Sequence, residues 1–205
     1  MSLVTEEVGL KIAILLGTLA FIPVCAASLR VSDTGQPAGL VQYTNGDELV
    51  RPQGYREWIF VSSGMRLSEK APCGEGATFT NVFVDPHAYH QFLTTGSWTD
   101  KTVLVEEKRT ASNKGSLNKG AQFQTDLVGI SVKVKDAARF PEKWAYFSFD
   151  STAKTAKANP KAMCWQCHHD QGAVDSTYVQ FYPTLKPVAQ QLGTFLEVGK
   201  GAESY

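Results

Sequence analysis

Short segments rich in β-branched and aromatic residues recur along the middle of the chain, and each is bounded by Gly, Pro, Asp or Asn. Segments of this composition and length are typical of β-strands. The pattern predicts strands over residues 56–63, 78–84, 101–109, 127–135 and 143–150. Five strands at this spacing indicate an antiparallel five-stranded sheet with a few short helices, so the predicted fold class is mainly β (α+β).

Helix signals are fewer than strand signals. Asp85 followed by Pro86 places a good N-cap residue before a proline at the first helical position, and Gly96 is suited to end that helix. A second helix is predicted to begin near Asn159 and Pro160 and to carry two of the cysteines. The cysteine-bearing helix therefore follows the last predicted strand, towards the C-terminal end of the chain.

The N-terminal residues have the pattern of an export signal. An uncharged apolar run over residues 12–27 follows Lys11 and ends in small residues. The run is shorter than the roughly 18 to 20 residues that a membrane-spanning helix needs. We therefore expect a signal peptide over 1–27, which would carry Cys25 away, then an N-terminal arm over 28–48 and one domain over 49–205. An uncleaved anchor stays open as an alternative, because acidic residues outnumber Lys11 before the run.

Length and charge limit the classes of function. The chain has 205 residues, which suits one domain with a substantial core. Its 20 acidic side chains balance its 20 basic ones. Without a net positive charge there is no long-range field to attract nucleic acid or an anionic membrane surface. Nucleic-acid binding is therefore not expected.

Two cysteines and a histidine stand together in the sequence CWQCH, as Cys164, Cys167 and His168. C-x-x-C-H is the attachment pattern for c-type haem: two thiols one helical turn apart reach one porphyrin edge, and the next residue brings an imidazole to the iron. A redox dithiol is one alternative, although no βαβ unit precedes Cys164. A structural zinc site is another, but it would need Cys73, about ninety residues away, as fourth ligand. Haem attachment is the favoured interpretation, with two thioethers and His168 as the axial iron ligand.

Five further segments carry a family resemblance. They read GYREWIFV, NVFVDPHAY, KTVLVEE, VKDAARFPEKWAYFSF and DSTYVQFYPTL, in this order between Gly54 and Leu185. The series resembles the cytochrome P460 family of small periplasmic c-type cytochromes, which includes the cytochromes c-prime-beta. The resemblance implies a haem domain over 49–205, one covalently bound haem c held by a C-terminal C-x-x-C-H helix, and a homodimer. It also implies a five-coordinate iron whose open side binds small nitrogen species.

The resemblance marks positions on that open, distal side of the haem. Hydroxylamine-oxidising members carry a porphyrin-linked lysine after the strand motif T-V-x-V, where this chain has Glu106. Lys108 shares a strand face with Glu106 and is a second candidate for the link. An arginine and an acidic residue of those members are replaced here by Thr80 and Ser131. Glu106 is interpreted either as a distal carboxylate, the candidate catalytic residue, or as a solvent-edge glutamate paired with Lys108 or Arg109.

The expected function is binding of nitric oxide or a related small nitrogen species by a periplasmic or secreted haem protein. A periplasmic redox partner is compatible with this function. One rival is a hydroxylamine or nitric oxide oxidoreductase, in which Glu106 or Lys108 supplies the missing group. Another is a six-coordinate electron-transfer cytochrome whose iron is capped by Met65, since Met163 lies on the same helix as His168.

Two other features have ordinary explanations. His87 and His90 share a helix face, but with no third ligand nearby they are interpreted as exposed helix residues rather than a metal site. The aromatic residues of the predicted strands are interpreted mainly as core, and the resemblance implies that one or two phenylalanines roof the distal side of the haem.

Overall fold

The structure of the protein is a computed structural model that describes residues 41–65, 77–115 and 120–197. The described strands and helices are β1 (Tyr43–Thr44), β2 (Glu48–Val50), β3 (Ile59–Met65), β4 (Thr78–Val84), α1 (Pro86–Thr95), β5 (Val103–Ser112), β6 (Phe123–Lys135), β7 (Trp144–Asp150), β8 (Thr155–Ala156), α2 (Lys161–Gln171) and α3 (Lys186–Gln191), with 3₁₀ turns at Tyr55–Glu57 and Val179–Phe181. None of the helices in these ranges has the length and apolar character needed to cross a membrane. The predicted signal peptide, with Cys25, and Cys73 lie outside the described residues.

The predicted antiparallel five-stranded sheet is confirmed. Its strands β3 to β7 follow one another in chain order, each hydrogen-bonded to the next. The first predicted strand begins later than expected, because residues 55–57 form a 3₁₀ turn before β3. Strand β6 begins earlier than expected, because Phe123 and Gln124 still pair with the end of β5.

A small second sheet, of order β1-β2-β8, was not predicted. Its strands have two or three residues, too few to show a periodic pattern of apolar and polar positions. Part of the segment expected to be an arm before residue 49 therefore forms β1 and the start of β2. Leu49 is buried in the core. Arg51 donates to the carbonyl oxygen of Asp150, the last residue of β7, and to that of Ser151, the next residue.

The main sheet is covered on both faces. Strand β5 illustrates this, since Val103 and Val105 belong to one apolar cluster and Leu104, between them, to the other. The cluster with Val103 also contains inward side chains of β6 and β7, such as Val132 and Phe147. The cluster with Leu104 contains α1 and the segment after α2. Because both faces of β5 are buried at its start, all of its residues before Glu106 are apolar.

Helix α1 begins and ends as the sequence predicts. The Asp85 carboxylate accepts a hydrogen bond from the Ala88 backbone N–H at 2.8 Å, which is an N-cap. Its other oxygen accepts from the Val103 N–H at 2.9 Å, so the cap also ties α1 to β5. Gly96 ends the helix with φ of 68°, a left-handed conformation that favours glycine.

Helix α2 follows β8 and is the second predicted helix. Gly172 ends it where a Cβ atom would lie 2.5 Å from the His168 carbonyl oxygen and 2.6 Å from the Thr177 nitrogen, so only glycine lets the chain turn this tightly. Asp175 and Ser176 then have positive φ, of 46° and 58°. The chain after α2 therefore folds back at once and packs beside the helix.

Candidate functional site

A row of mostly polar side chains crosses one face of the main sheet. The strand register places Glu106 opposite Ser131, and Ser131 opposite Ser148. On the other side of Glu106, Val82 and Ser62 continue the row. Side chains directly opposite each other in antiparallel strands lie about 4.5–5.5 Å apart at Cβ. The carboxylate and the hydroxyl groups of three strands therefore share one surface.

A second row lies two residues further along on the same face. Thr80 of β4 is opposite Lys108 of β5, with Gly64 and Gly129 on either side of this pair. The glycines carry no side chain, and a Cβ atom at Gly129 would lie 2.6 Å from the Phe149 carbonyl oxygen, so this position next to Lys108 has no room for a larger residue. The tertiary structure thus brings the four distal positions marked by the resemblance, Thr80, Glu106, Lys108 and Ser131, onto one surface.

Helix α2 presents the predicted haem-attachment residues on one side. Cys164, Cys167 and His168 occupy positions i, i+3 and i+4, which share a helix face. Both thiols are free, Cys164 half-buried and Cys167 exposed. The Cys164 sulfur lies 3.6 Å from the side-chain nitrogen of Asn159. The Cys167 sulfur lies 3.2 Å from the hydroxyl oxygen of Tyr178.

A cavity of about 780 Å³ lies between the polar rows and α2. Among the side chains that line it are Thr80, Glu106, Lys108 and Ser131 from the sheet and Cys164 and His168 from the helix. Its volume is within the range of about 300–1,000 Å³ that is usual for cofactor pockets. Cys167 is not in the lining, because its thiol lies against Tyr178 instead. The other predicted attachment residues and the four distal positions all border this cavity.

The imidazole of His168 is held between two tyrosine rings. Ring centroids lie 4.8 Å away at Tyr146 and 4.4 Å away at Tyr178. Burial, and next the nearby Lys133, lower the pKa of His168 to about 3, against a small opposing effect of the Ser176 carbonyl. At neutral pH the ring is therefore uncharged and has a nitrogen lone pair free to bind a metal. Its Nδ1 atom is buried and has no hydrogen bond of normal geometry.

Lys133 is a functional candidate that the sequence analysis missed. Its side chain is buried beside the ring of Trp144, with Nζ 4.3 Å from the ring centroid, and its amine donates to the Ser176 carbonyl. Burial lowers the pKa of Lys133 well below its usual value, while Asp175 raises it. A signal was present in the sequence, since Lys133 is two residues from Ser131 and so points to the same side of β6.

Glu106 and its neighbour Glu107 have opposite environments. Glu106 borders the cavity with its side chain 32% exposed, and its carboxylate lies 3.3 Å from the Lys108 ammonium. Glu107, on the other face, is 3% exposed and accepts hydrogen bonds from Tyr55, Arg56 and Arg109. The two interpretations of Glu106 thus combine, because it faces the cavity and pairs with Lys108, whereas Arg109 pairs with Glu107.

The remaining predicted residues lie away from the cavity or on its helix side. Met65 pairs with Phe79, on the sheet face opposite to Thr80, and does not line the cavity. Met163 borders it from α2, the same helix as His168. His90 is exposed, and its Nδ1 contacts the carbonyl oxygen of Pro86. The described residues contain no cluster of three or more His, Cys, Asp or Glu side chains that could enclose a metal ion by themselves.

Most phenylalanines of the described strands lie away from the cavity, although Phe147 and, in the 3₁₀ turn after α2, Phe181 border it. Phe83, Phe147 and Phe149 belong to the apolar cluster on the sheet face opposite to Glu106. Phe60 is 53% exposed, which makes it surface rather than core. Within the described strands, the residues that line the cavity are therefore mainly ones with hydroxyls and small apolar groups, together with the Glu106–Lys108 pair, and Lys133, Tyr146 and Phe147 line it as well.

The residues around the cavity fit a covalently held haem. An uncharged imidazole and a thiol on one helical turn face a cavity of adequate size, and the unbonded Nδ1 of His168 is free to donate to a carbonyl when the other nitrogen binds a metal. Attachment of the second thiol requires Cys167 to give up its contact with Tyr178.

Comparison with protein families explains this arrangement. The model of the cytochrome P460 family matches residues 52–179, which include the five-stranded sheet and the whole of α2. The chain therefore belongs to the cytochrome P460 family, as its motifs indicate, and is a haem protein. A comparison with curated protein sequences finds no match.

Proposed function

We propose that the protein is a mono-haem c-type cytochrome that binds nitric oxide or a related small nitrogen species. The haem is attached through Cys164 and Cys167, and His168 is the axial ligand of its iron. When bound, the haem supplies an iron with one position held by imidazole and the opposite position available to a ligand. The observation that supports the proposal is a half-buried, uncharged His168 that lines the same cavity as the polar sheet surface.

The polar rows define what a ligand on that side would meet. Ser131 and Thr80 present hydroxyl groups, and the Glu106–Lys108 pair presents an acceptor and a donor. These groups can hydrogen-bond the oxygen or nitrogen of a small polar ligand. No methionine or histidine of the described strands lines this side of the cavity. A five-coordinate, ligand-binding iron is therefore favoured over a six-coordinate electron carrier.

The test uses the full chain, produced in a host that attaches haem to exported cytochromes. We expect a mass greater than that of the polypeptide by one haem, a high-spin ferrous spectrum, and uptake of one nitric oxide per haem. His169 provides a matched control for His168, since it is exposed and stacks on Trp165. H168A should change the spectrum and the ligand affinity, whereas H169A should resemble the wild type. A colourless protein, or sharp low-spin bands without ligand uptake, would contradict the proposal.

A second candidate function is oxidation of hydroxylamine with an external electron acceptor. One observation favours it: the Glu106 carboxylate borders the cavity and can accept a proton from a bound substrate. Sustained hydroxylamine consumption by the wild type, reduced at least tenfold in E106Q, would support turnover. E57Q is the control, because Glu57 is an exposed carboxylate of the first 3₁₀ turn and does not line the cavity. Absence of turnover would leave ligand binding as the function.

A further inference from the structure

Two lysines of β6 hold two adjacent residues of the turn that follows α2. Lys133 donates to the Ser176 carbonyl, and Lys135 pairs with the Asp175 carboxylate at 2.5 Å. Both turn residues have positive φ, which costs free energy for residues other than glycine. Val174 and Thr177, on either side of them, exchange backbone hydrogen bonds and close the turn. The lysines therefore stabilise a turn that the local sequence does not favour.

This turn faces the imidazole of His168. Ser176 lies against the last turn of α2, since a Cβ atom at Gly172 would be 2.5 Å from the His168 carbonyl oxygen and 2.6 Å from the Ser176 carbonyl carbon. Burial and Lys133 lower the pKa of His168, and the Ser176 carbonyl opposes them as a hydrogen-bonding backbone group. The Nδ1 atom nevertheless has no hydrogen bond of normal geometry, whereas the amine of Lys133 does bond this carbonyl. A carbonyl oxygen has two lone pairs, and the amine of Lys133 takes one of them and draws electron density from the other, so that Nδ1 meets a weakened acceptor.

The other surroundings of Lys133 fix its amine at this carbonyl. Its stem is buried, and its Nζ lies 4.3 Å and 5.1 Å from the ring centroids of Trp144 and Tyr146. Neither ring offers a competing acceptor of comparable strength. An amine donates N–H whether or not it carries the extra proton, so the bond to Ser176 does not depend on its charge.

In haem and other metal sites, the second ring nitrogen of a ligating histidine normally donates to a carboxylate or a carbonyl, and this bond raises the electron donation of the ligand. We propose that Lys133 is a positioning residue that competes with Nδ1 of His168 for the Ser176 carbonyl and so keeps His168 a weak axial donor. The inference rests on the proposed function, in which His168 binds the haem iron. A weak axial donor stabilises the ferrous iron relative to the ferric iron.

Three variants of the haem-loaded full chain test the inference. K133M removes the donor and the charge, K133Q removes the charge and keeps a donor, and K135M removes the neighbouring cation that does not bond Ser176. Methionine is unbranched like lysine and can fill the same space without the amine. The readouts are the iron–histidine stretching frequency of the ferrous protein and its reduction potential.

We expect the stretching frequency to rise in K133M and to stay at the wild-type value in K133Q. K135M, which loosens the turn at Asp175 but keeps the donor to Ser176, should change the frequency less than K133M does. We also expect K133M to shift the ferrous-to-ferric equilibrium at least tenfold towards ferric iron, which is 59 mV for one electron. An unchanged frequency in K133M, or an equal rise in K133Q, would overturn the inference. Should K133M fail to fold, the frequency of K133Q decides, since any rise there refutes a role through the hydrogen bond. A wild type without haem would instead refute the proposed function.

Discussion

Glu106 and Glu107 are adjacent in the sequence and lie on opposite faces of β5. Substitution of each by glutamine therefore tests whether one side chain stabilises the fold while the other serves the cavity. In E107Q, a buried carboxylate that accepts hydrogen bonds from Tyr55 at 2.6 Å, Arg56 at 2.7 Å and Arg109 at 2.5 Å becomes a neutral amide. The amide keeps one acceptor oxygen, and its NH₂ group faces N–H donors. We therefore expect E107Q to destabilise the fold and E106Q to leave it almost unchanged.

The magnitude follows from the exposure of the partners. A hydrogen bond to a charged group contributes about 1.5–3 kcal/mol when buried. The bond from Tyr55 is buried and Arg109 is 25% exposed, but Arg56 is 52% exposed and its contribution is screened by water. Allowing for the acceptor that remains, E107Q should lose about 2–4 kcal/mol. The pair of Glu106 with Lys108 is partly exposed on both sides, so E106Q should change the stability by less than about 0.5 kcal/mol.

Urea unfolding at pH 7, followed by circular dichroism and by tryptophan fluorescence, measures both variants under the same conditions. With a slope of about 2 kcal/mol per molar urea, E107Q should unfold at about 1–2 M less urea than the wild type, with an unchanged slope. E106Q should coincide with the wild type. Equal losses in the two variants, or a loss below about 0.5 kcal/mol in E107Q, would refute the assignment of the two faces.

Two further predictions concern the same core. Burial alone would raise the pKa of Glu107, but its three hydrogen-bond donors outweigh burial and lower the pKa. The free energy of unfolding of the wild type should therefore fall as the pH drops below about 4.5, because the carboxylate becomes protonated. Measured by unfolding at a series of acid pH values, this fall should be less steep in E107Q. D85A removes the cap of α1 and the acceptor of the buried Val103 N–H, so calorimetry should detect a loss of about 2–4 kcal/mol, and a loss below 1 kcal/mol would contradict that role.

The elements that the sequence predicted well are those with a strong local cause. The segment 78–84 is rich in β-branched and aromatic residues, and it forms a strand with the predicted bounds. Helix α1 has its proline, its aspartate cap and its terminal glycine where the rules of helix ends place them. The two-residue strands β1 and β8 have no such cause, since they form only by pairing with β2. Helix α3, with six residues, likewise gave no periodic signal.

The candidate site divides in the same way. The three proposed haem-attachment residues could be predicted from the sequence because they lie within about one turn of a single helix. Lys133 and Tyr178 were not, because their importance comes from lying beside His168, from which they are separated by 35 and 10 residues in the chain. The choice between two environments for Glu106 also needed the register of β5 against its neighbours.

The sequence by itself determined the attachment motif, the strand pattern and the family, because these depend on residue types at short, fixed spacings. Only the tertiary structure decided that the two adjacent glutamates have different roles and that a lysine of β6 engages the carbonyl next to His168. The physical reason is that burial and hydrogen-bond competition arise between strands and turns that are distant in the chain. Contacts of that kind exist only once the sheet has set its register and α2 has packed against it.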